Sequence, residues 1–121
     1  MDKHGCEAIV VTCIDFRFQD LINEWIKDRL GSKNHDRVAL AGGVKEFDTI
    51  LNQVDISKSL HGITKVIFIN HEDCGAYGVE GTEQKHAADL KSAASRVQEK
   101  YPDLAVEAFY LRLDNSFKRV V

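Results

Sequence analysis

Two short segments of the chain carry side chains that could bind one metal ion together. Residues 13–17, with the sequence CIDFR, directly follow an apolar run, and residues 71–75, with the sequence HEDCG, follow another. Two thiolates and a neutral imidazole are donors that zinc prefers, and three protein ligands leave a fourth position open. We therefore expect Cys13, His71 and Cys74 to form a zinc site of the catalytic rather than the structural kind.

Asp15 and Arg17 lie beside this predicted site, at alternate positions after Cys13. A bidentate pair with the guanidinium would keep the Asp15 carboxylate ionised and aimed. Paired in this way, Asp15 could accept a hydrogen bond from zinc-bound water, whereas released from Arg17 it could occupy the fourth zinc position and block turnover. Alternatively, Asp15 and Arg17 could form a purely structural ion pair at the end of the strand.

The hydrophobic pattern predicts the elements that bring the two segments together. Short apolar or β-branched runs predict four strands, at residues 8–12, 38–41, 65–69 and 104–113. Amphipathic spacing predicts three helices between them, at residues 18–30, 47–60 and 82–101. This alternation indicates a three-layer α/β fold, in which a four-stranded parallel sheet has helices on both faces.

Such doubly wound sheets commonly have the strand order 2-1-3-4 and bind ligands where the carboxyl ends of the first and third strands meet. Residues 13–17 and 71–75 begin at those two ends. The topology therefore places the two motifs side by side, which is a stronger indication of a site than either motif alone. Glu107 and Arg112 in the last predicted strand suggest a sheet edge there.

Other residues near the motifs carry weaker expectations. Five are expected to line the pocket or to support the ligands: Phe16, Gly42, Gly43, Asp73 and Gly75. Outside the site, Cys6 is interpreted as an inert small hydrophobe, and four histidines are expected to face solvent: His4, His35, His61 and His86. Residues 115–121 are open to three interpretations, as a frayed tail, a short helix or a segment that docks on a partner subunit.

The composition is typical of a globular domain. Of the 121 residues, 44% are hydrophobic and 29% are charged. A chain of this length is expected to form one domain, over residues 1–121. The net charge of −3 argues against binding to nucleic acid or to an anionic membrane. The first residues resemble no signal peptide, and no apolar run approaches the ~20 residues that cross a bilayer. With three cysteines, an odd number, we expect a reducing cytoplasm.

The two motifs resemble those of the β-class carbonic anhydrases. The pattern of that family is Cys-x-Asp-x-Arg after the first strand and His-x-x-Cys-Gly after the third, as in residues 13–17 and 71–75 here. Residues 39–43, with the sequence ALAGG, are similar to the Ala-Gly stretch beside the family's active site. The resemblance runs from about residue 9 to residue 75 and identifies the chain as a short, minimal or divergent member.

The resemblance implies an enzyme with one Zn(II) per chain that hydrates carbon dioxide reversibly to bicarbonate by a zinc-bound hydroxide. Cys13, His71 and Cys74 would be the zinc ligands, and Asp15 and Arg17 would be the orienting or gating pair. The family usually forms homodimers or multiples of dimers, and its substrate is a small molecule.

Three other functions stay open from the residues. A zinc enzyme of this kind could hydrolyse a related heterocumulene, such as carbonyl sulfide or carbon disulfide. A non-catalytic zinc or thiol-sensing protein would result if Asp15 permanently filled the fourth zinc position. Cys13 could also be a nucleophile activated by Arg17, as in thiol phosphatases, but three residues separate the two side chains instead of the usual five.

Overall fold

The computed structural model describes residues 4–121, and within them a five-stranded sheet is flanked by three α-helices. The strands are β1 (Ala8–Thr12), β2 (His35–Ala39), β3 (Lys65–His71), β4 (Ala105–Leu111) and β5 (Phe117–Arg119). The helices are α1 (Gln19–Leu30), α2 (Phe47–His61) and α3 (Glu83–Lys100). The α/β architecture predicted from the hydrophobic pattern is confirmed.

The strand order is β2-β1-β3-β4-β5, so the predicted 2-1-3-4 order of the parallel strands is also confirmed. The predicted strand count of four is wrong, because β5 adds an antiparallel strand to β4. None of the three interpretations of residues 115–121 anticipated this strand. Three residues are too few to show the alternating pattern from which a strand is predicted.

Alternate side chains of the central strands pack on opposite faces of the sheet. Ile9 and Val11 of β1 belong to the cluster formed with α2 and α3, whereas Ala8 and Val10 belong to the cluster formed with α1. Every residue of β1 is buried, which explains why all but the last are apolar. Within residues 4–121, every helix is too short or too polar to span a bilayer.

The polar residues of β2 and β4 have different explanations. β2 is an edge strand with half-buried residues, so it begins with polar and charged side chains, three residues before the predicted start. In contrast, β4 lies between β3 and β5, and the expected edge there is wrong. Glu107 of β4 is buried, and its carboxylate forms an ion pair with Lys65, at 3.1 Å from the Nζ atom.

Candidate metal centre

The ends of β1 and β3 lie next to each other, because the two strands pair in parallel from Ala8 opposite Lys65 to Thr12 opposite Ile69. Cys13 directly follows β1, and His71 is the last residue of β3, which extends two residues beyond its predicted end. One donor atom from each of Cys13, His71 and Cys74 lies within 4.8 Å of the other two. The structure thus brings the three predicted ligands together, all of them buried.

The donor geometry fits a zinc ion. The Sγ atoms of Cys13 and Cys74 are 3.9 Å apart, close to the ~3.8 Å that a tetrahedral angle gives for two Zn–S bonds of ~2.3 Å. Nδ1 of His71 donates a hydrogen bond of 2.7 Å to the Glu72 carbonyl. Among residues 4–121, no group is hydrogen-bonded to the buried Nε2 of His71, so its lone pair is available to a metal.

The surroundings of Cys13 favour its thiolate. Burial raises the pKa of this thiol. The neighbouring His71 imidazole and the backbone N–H of Gly42 have a larger opposite effect, and together they lower the pKa to about 6. That N–H group lies 3.3 Å from the Cys13 sulfur. The pKa of Cys74 is raised, first by burial and also by the charge of Cys13. The two sulfurs therefore oppose each other's ionisation. A metal cation, which binds cysteines as thiolates, would allow both sulfurs to carry a negative charge.

Asp15 is paired with Arg17 in this structure. The Arg17 Nη2 atom lies 2.7 Å from Asp15 Oδ2, and Arg17 Nε lies 3.1 Å from Asp15 Oδ1. The hydrogen bonds from Arg17, which outweigh the opposing effect of burial, lower the pKa of Asp15 to about 2. Asp15 Oδ2 is also only 3.8 Å from His71 Nε2. The carboxylate is therefore ionised at neutral pH and stands beside the three donors.

A second set of contacts holds Arg17 in place. Its Nη1 atom donates to Asp73 Oδ2 at 3.1 Å, and its Nη2 atom donates to the Asp73 carbonyl at 3.0 Å. Arg17 therefore connects the loop after β1 to the loop after β3. Neither the Asp73 nor the Glu72 carboxylate is bonded to His71, because the Glu72 carbonyl takes that position.

Gly42 and Gly43 allow the backbone to pack closely beside the site. Both have positive φ angles, of 87° and 61°, which are rarely adopted by other residues. A Cβ atom on Gly43 would lie only 2.3 Å from the Asn70 Oδ1 atom. The predicted tight packing is thus present at both glycines.

The two remaining predicted pocket residues lie at the surface. Gly75 is exposed, and the Phe16 side chain is 87% exposed, so Phe16 does not line a closed pocket within this chain. A cavity of about 370 Å³ lies nearby and includes Lys45 and Tyr77 in its wall, but none of the three predicted metal ligands.

A buried polar network behind the site was missed in the sequence. Asn70 Nδ2 donates to His86 Nδ1 at 2.9 Å and to the Tyr77 hydroxyl at 3.3 Å. The Tyr77 hydroxyl donates to Asp89 Oδ2 at 2.8 Å, and Asn70 Oδ1 accepts the Val44 N–H at 3.1 Å. The network joins β3 to both flanking loops. The available signal was the single amide side chain in the apolar run that precedes His71.

The solvent-facing prediction for His86 is wrong. His86 is 0% exposed and its ring packs on Tyr77 at a centroid distance of 4.0 Å. Burial lowers its pKa to about 4, so it is neutral at physiological pH. His35 and His61 are half-buried, and only His4 is exposed as predicted. Helical periodicity places His86 on α3 but does not reveal the hydrogen-bonding partner that makes its burial tolerable.

We expect Asn70→Ala to lower the free energy of unfolding by about 1–3 kcal/mol, because it leaves the Val44 N–H without its acceptor. Urea denaturation followed by circular dichroism measures the change. Asn52→Ala, at an exposed position of α2, is the matched control and should change the stability by less than about 0.5 kcal/mol. Equal effects of the two substitutions would contradict a stabilising role for the network.

Comparison with known proteins places these features in a family. The model of the family described as "Putative carbonic anhydrase" matches residues 3–121. An uncharacterized protein of Rickettsia conorii is 30% identical over 132 aligned positions, which cover 93% of this chain and 71% of the relative.

Solved structures share the fold at low sequence identity. The carbonic anhydrase of Streptococcus mutans superposes with a TM-score of 0.72 at 16% identity, over 98% of this chain and 84% of the other. The β-carbonic anhydrase isoform I of Trichomonas vaginalis superposes with a TM-score of 0.64 at 12% identity, over 100% of this chain and 87% of the other.

Proposed function

The chain belongs to the carbonic anhydrase family whose model it matches, and from this premise we propose that it catalyses the zinc-dependent, reversible hydration of carbon dioxide to bicarbonate. The observation that carries the proposal is the convergence of Cys13, His71 and Cys74 on one point. The buried Nε2 atom of His71 has no hydrogen-bond partner among residues 4–121. We propose that residues 1–121 act as one domain and bind one Zn(II) tightly at these three side chains.

When bound, Zn(II) would supply a water of lowered pKa as the nucleophile and leave one coordination position for it. The two thiolates of Cys13 and Cys74 offset both charges of the ion. Such a site should be a weaker Lewis acid than one with three histidines, and we expect activity to rise as the pH increases above ~7. The Gly42 N–H helps to hold the Cys13 sulfur in its charged form.

Asp15 is the proposed hydrogen-bond acceptor for the attacking water. Its carboxylate remains ionised because Arg17 holds its pKa at about 2, and it lies 3.8 Å from Nε2 of His71, the nitrogen that would bind the ion. Gln19 steadies the loop, since its amide donates to the Cys13 carbonyl at 3.0 Å and to the Asp15 carbonyl at 2.8 Å. These contacts orient the carboxylate before substrate arrives, which avoids an entropic cost in the transition state.

We also propose that the protein works as a homodimer. Ile14 and Phe16 flank Asp15 in sequence, and their side chains are 59% and 87% exposed. Apolar side chains of this exposure beside a polar site indicate a surface that another molecule covers. A second copy would exclude water from the site and give carbon dioxide an apolar approach. Light scattering coupled to gel filtration measures the mass, and a monomer at working concentration would contradict the dimer.

The direct test combines metal analysis with a stopped-flow assay of carbon dioxide hydration. After dialysis we expect about one tightly held zinc per chain, with hydration measurable between pH ~7 and ~9. A fully folded protein without metal would favour a thiol-based function. A zinc-replete protein that hydrates no carbon dioxide would favour carbonyl sulfide or carbon disulfide as substrate, if it hydrolyses them, or a sensing role, if it does not.

A further inference from the structure

A second group of potential metal ligands lies at the opposite end of the sheet from the first. Cys6 precedes β1, Asp36 is in β2 and His61 is the last residue of α2. One donor atom from each lies within 4.8 Å of the other two. The sequence had suggested only an inert cysteine and a solvent-facing histidine here.

Backbone contacts hold this group together. The Cys6 N–H donates to the His61 carbonyl at 3.2 Å, so the segment before β1 is tied to the end of α2. Gly5 makes the approach possible, because a Cβ atom there would lie 2.9 Å from the His61 carbonyl oxygen. The thiol and the imidazole are therefore held close by the backbone itself.

The Asp36 carboxylate is already oriented towards the other donors. Its Oδ2 atom accepts hydrogen bonds from Ser57 Oγ and from His61 Nδ1, each at 2.6 Å. The hydrogen bonds from these two groups hold the pKa of Asp36 below its usual value in spite of burial. The carboxylate is thus charged at neutral pH, and the arrangement places a thiol sulfur, an imidazole nitrogen and a carboxylate oxygen around one point.

We propose that Cys6, Asp36 and His61 bind a second divalent transition-metal ion, of the zinc and cobalt class. The set of one sulfur, one nitrogen and one oxygen donor suits such ions and is unsuited to magnesium or calcium. On binding, the Cys6 thiol proton passes to solvent and a metal–sulfur bond forms. The His61 proton moves from Nδ1 to Nε2, which frees Nδ1 to bind the ion in place of its hydrogen bond to Asp36.

The position is accessible to solvent and lies beside a cavity. The side chains of His61 and Asp36 are 24% and 29% exposed, and both line a cavity of about 260 Å³ together with Ser57, whereas Cys6 lies outside its wall. Water can therefore complete the coordination of the ion. Because this site is more exposed than the one at Cys13, its ion should be held less tightly and should be lost on dialysis. A bound ion would link the segment before β1 and the edge strand β2 to the end of α2.

The test is a cobalt(II) titration of the dialysed protein, residues 1–121, that retains its tightly held zinc. We expect about one further equivalent of cobalt per chain, with a thiolate-to-cobalt absorption band. Cys6→Ser should abolish the band and weaken this binding at least about tenfold, since it removes the only sulfur donor of the set. His35→Gln, a neighbouring histidine outside the group, is the matched control and should bind cobalt as the unaltered protein does.

Several outcomes would overturn the second site. Binding of cobalt by Cys6→Ser with unchanged affinity would do so, as would a titration of the unaltered protein with no further equivalent. If Cys6→Ser does not fold, His61→Gln provides the same comparison. Carbon dioxide hydration by Cys6→Ser should be unchanged, because Cys6 lies at the other end of the sheet. Failure of the first site would remove that activity and leave the cobalt band, so the two proposals fail separately.

Discussion

His71→Ala is expected to remove the tightly held zinc and to lower kcat/KM for carbon dioxide hydration by about a thousandfold. Loss of the metal forfeits several kcal/mol of transition-state stabilisation, and each ~1.4 kcal/mol corresponds to tenfold in rate. Elemental analysis and stopped-flow kinetics on the same preparation measure both effects. The reason lies in His71 Nε2, which is buried and has no hydrogen-bond partner among residues 4–121.

The control for this substitution is His35→Ala, which removes a half-buried imidazole from β2 and should leave zinc and activity unchanged. His71 also packs on the Phe18 ring, at a centroid distance of 4.7 Å, so circular dichroism must show that the variant folds. Cys13→Ser is the alternative where it does not. A folded His71→Ala that retains stoichiometric zinc and full activity would exclude His71 as a ligand.

Arg17→Met is expected to lower hydration about a hundredfold at neutral pH while zinc remains bound, a loss of the size attributed to one acid–base group. Without the guanidinium, the Asp15 carboxylate would be free to move towards the three metal ligands and could itself bind the ion in place of water. In this structure Asp15 Oδ2 is already 3.8 Å from His71 Nε2. Cobalt substitution makes the change visible, because an added carboxylate ligand alters the absorption spectrum.

The pH dependence separates this effect from simple protonation. Arg17 lowers the pKa of Asp15 to about 2, and its removal lets that pKa rise towards the ordinary ~3.9. In both proteins the carboxylate is ionised above pH ~5, so a loss at pH 7 cannot come from protonation of Asp15. A loss confined to acidic pH would contradict the proposed movement onto the metal.

The double variant Asp15→Asn/Arg17→Met gives the decisive comparison. If Arg17 acts by restraining Asp15, the double variant should be no less active than Asp15→Asn alone, because coupled residues are not additive. Additive losses would instead assign Arg17 a separate contact with substrate. Lys33→Met, at an exposed position, controls for the loss of one surface positive charge.

The parallel part of the fold could be predicted because its signals are local. β1 and β3 are buried throughout or nearly so and are therefore rich in apolar and β-branched residues, and the helix spacing between them is regular. The prediction failed for β5, whose three residues fold as a strand only because the edge of β4 is available to them. It failed for His86 because its burial depends on Asn70, 16 residues away in the sequence.

The sequence by itself determined which donors are present and at which end of the sheet they meet. Cys13, His71 and Cys74 lie at the ends of strands whose order is set by right-handed crossovers, and this order is largely independent of side-chain detail. The tertiary structure decided which nitrogen of His71 faces the sulfurs, that Asp15 pairs with Arg17, and that Arg17 also reaches Asp73. These features depend on side-chain directions and on contacts between loops far apart in the chain, which spacing along the sequence does not encode.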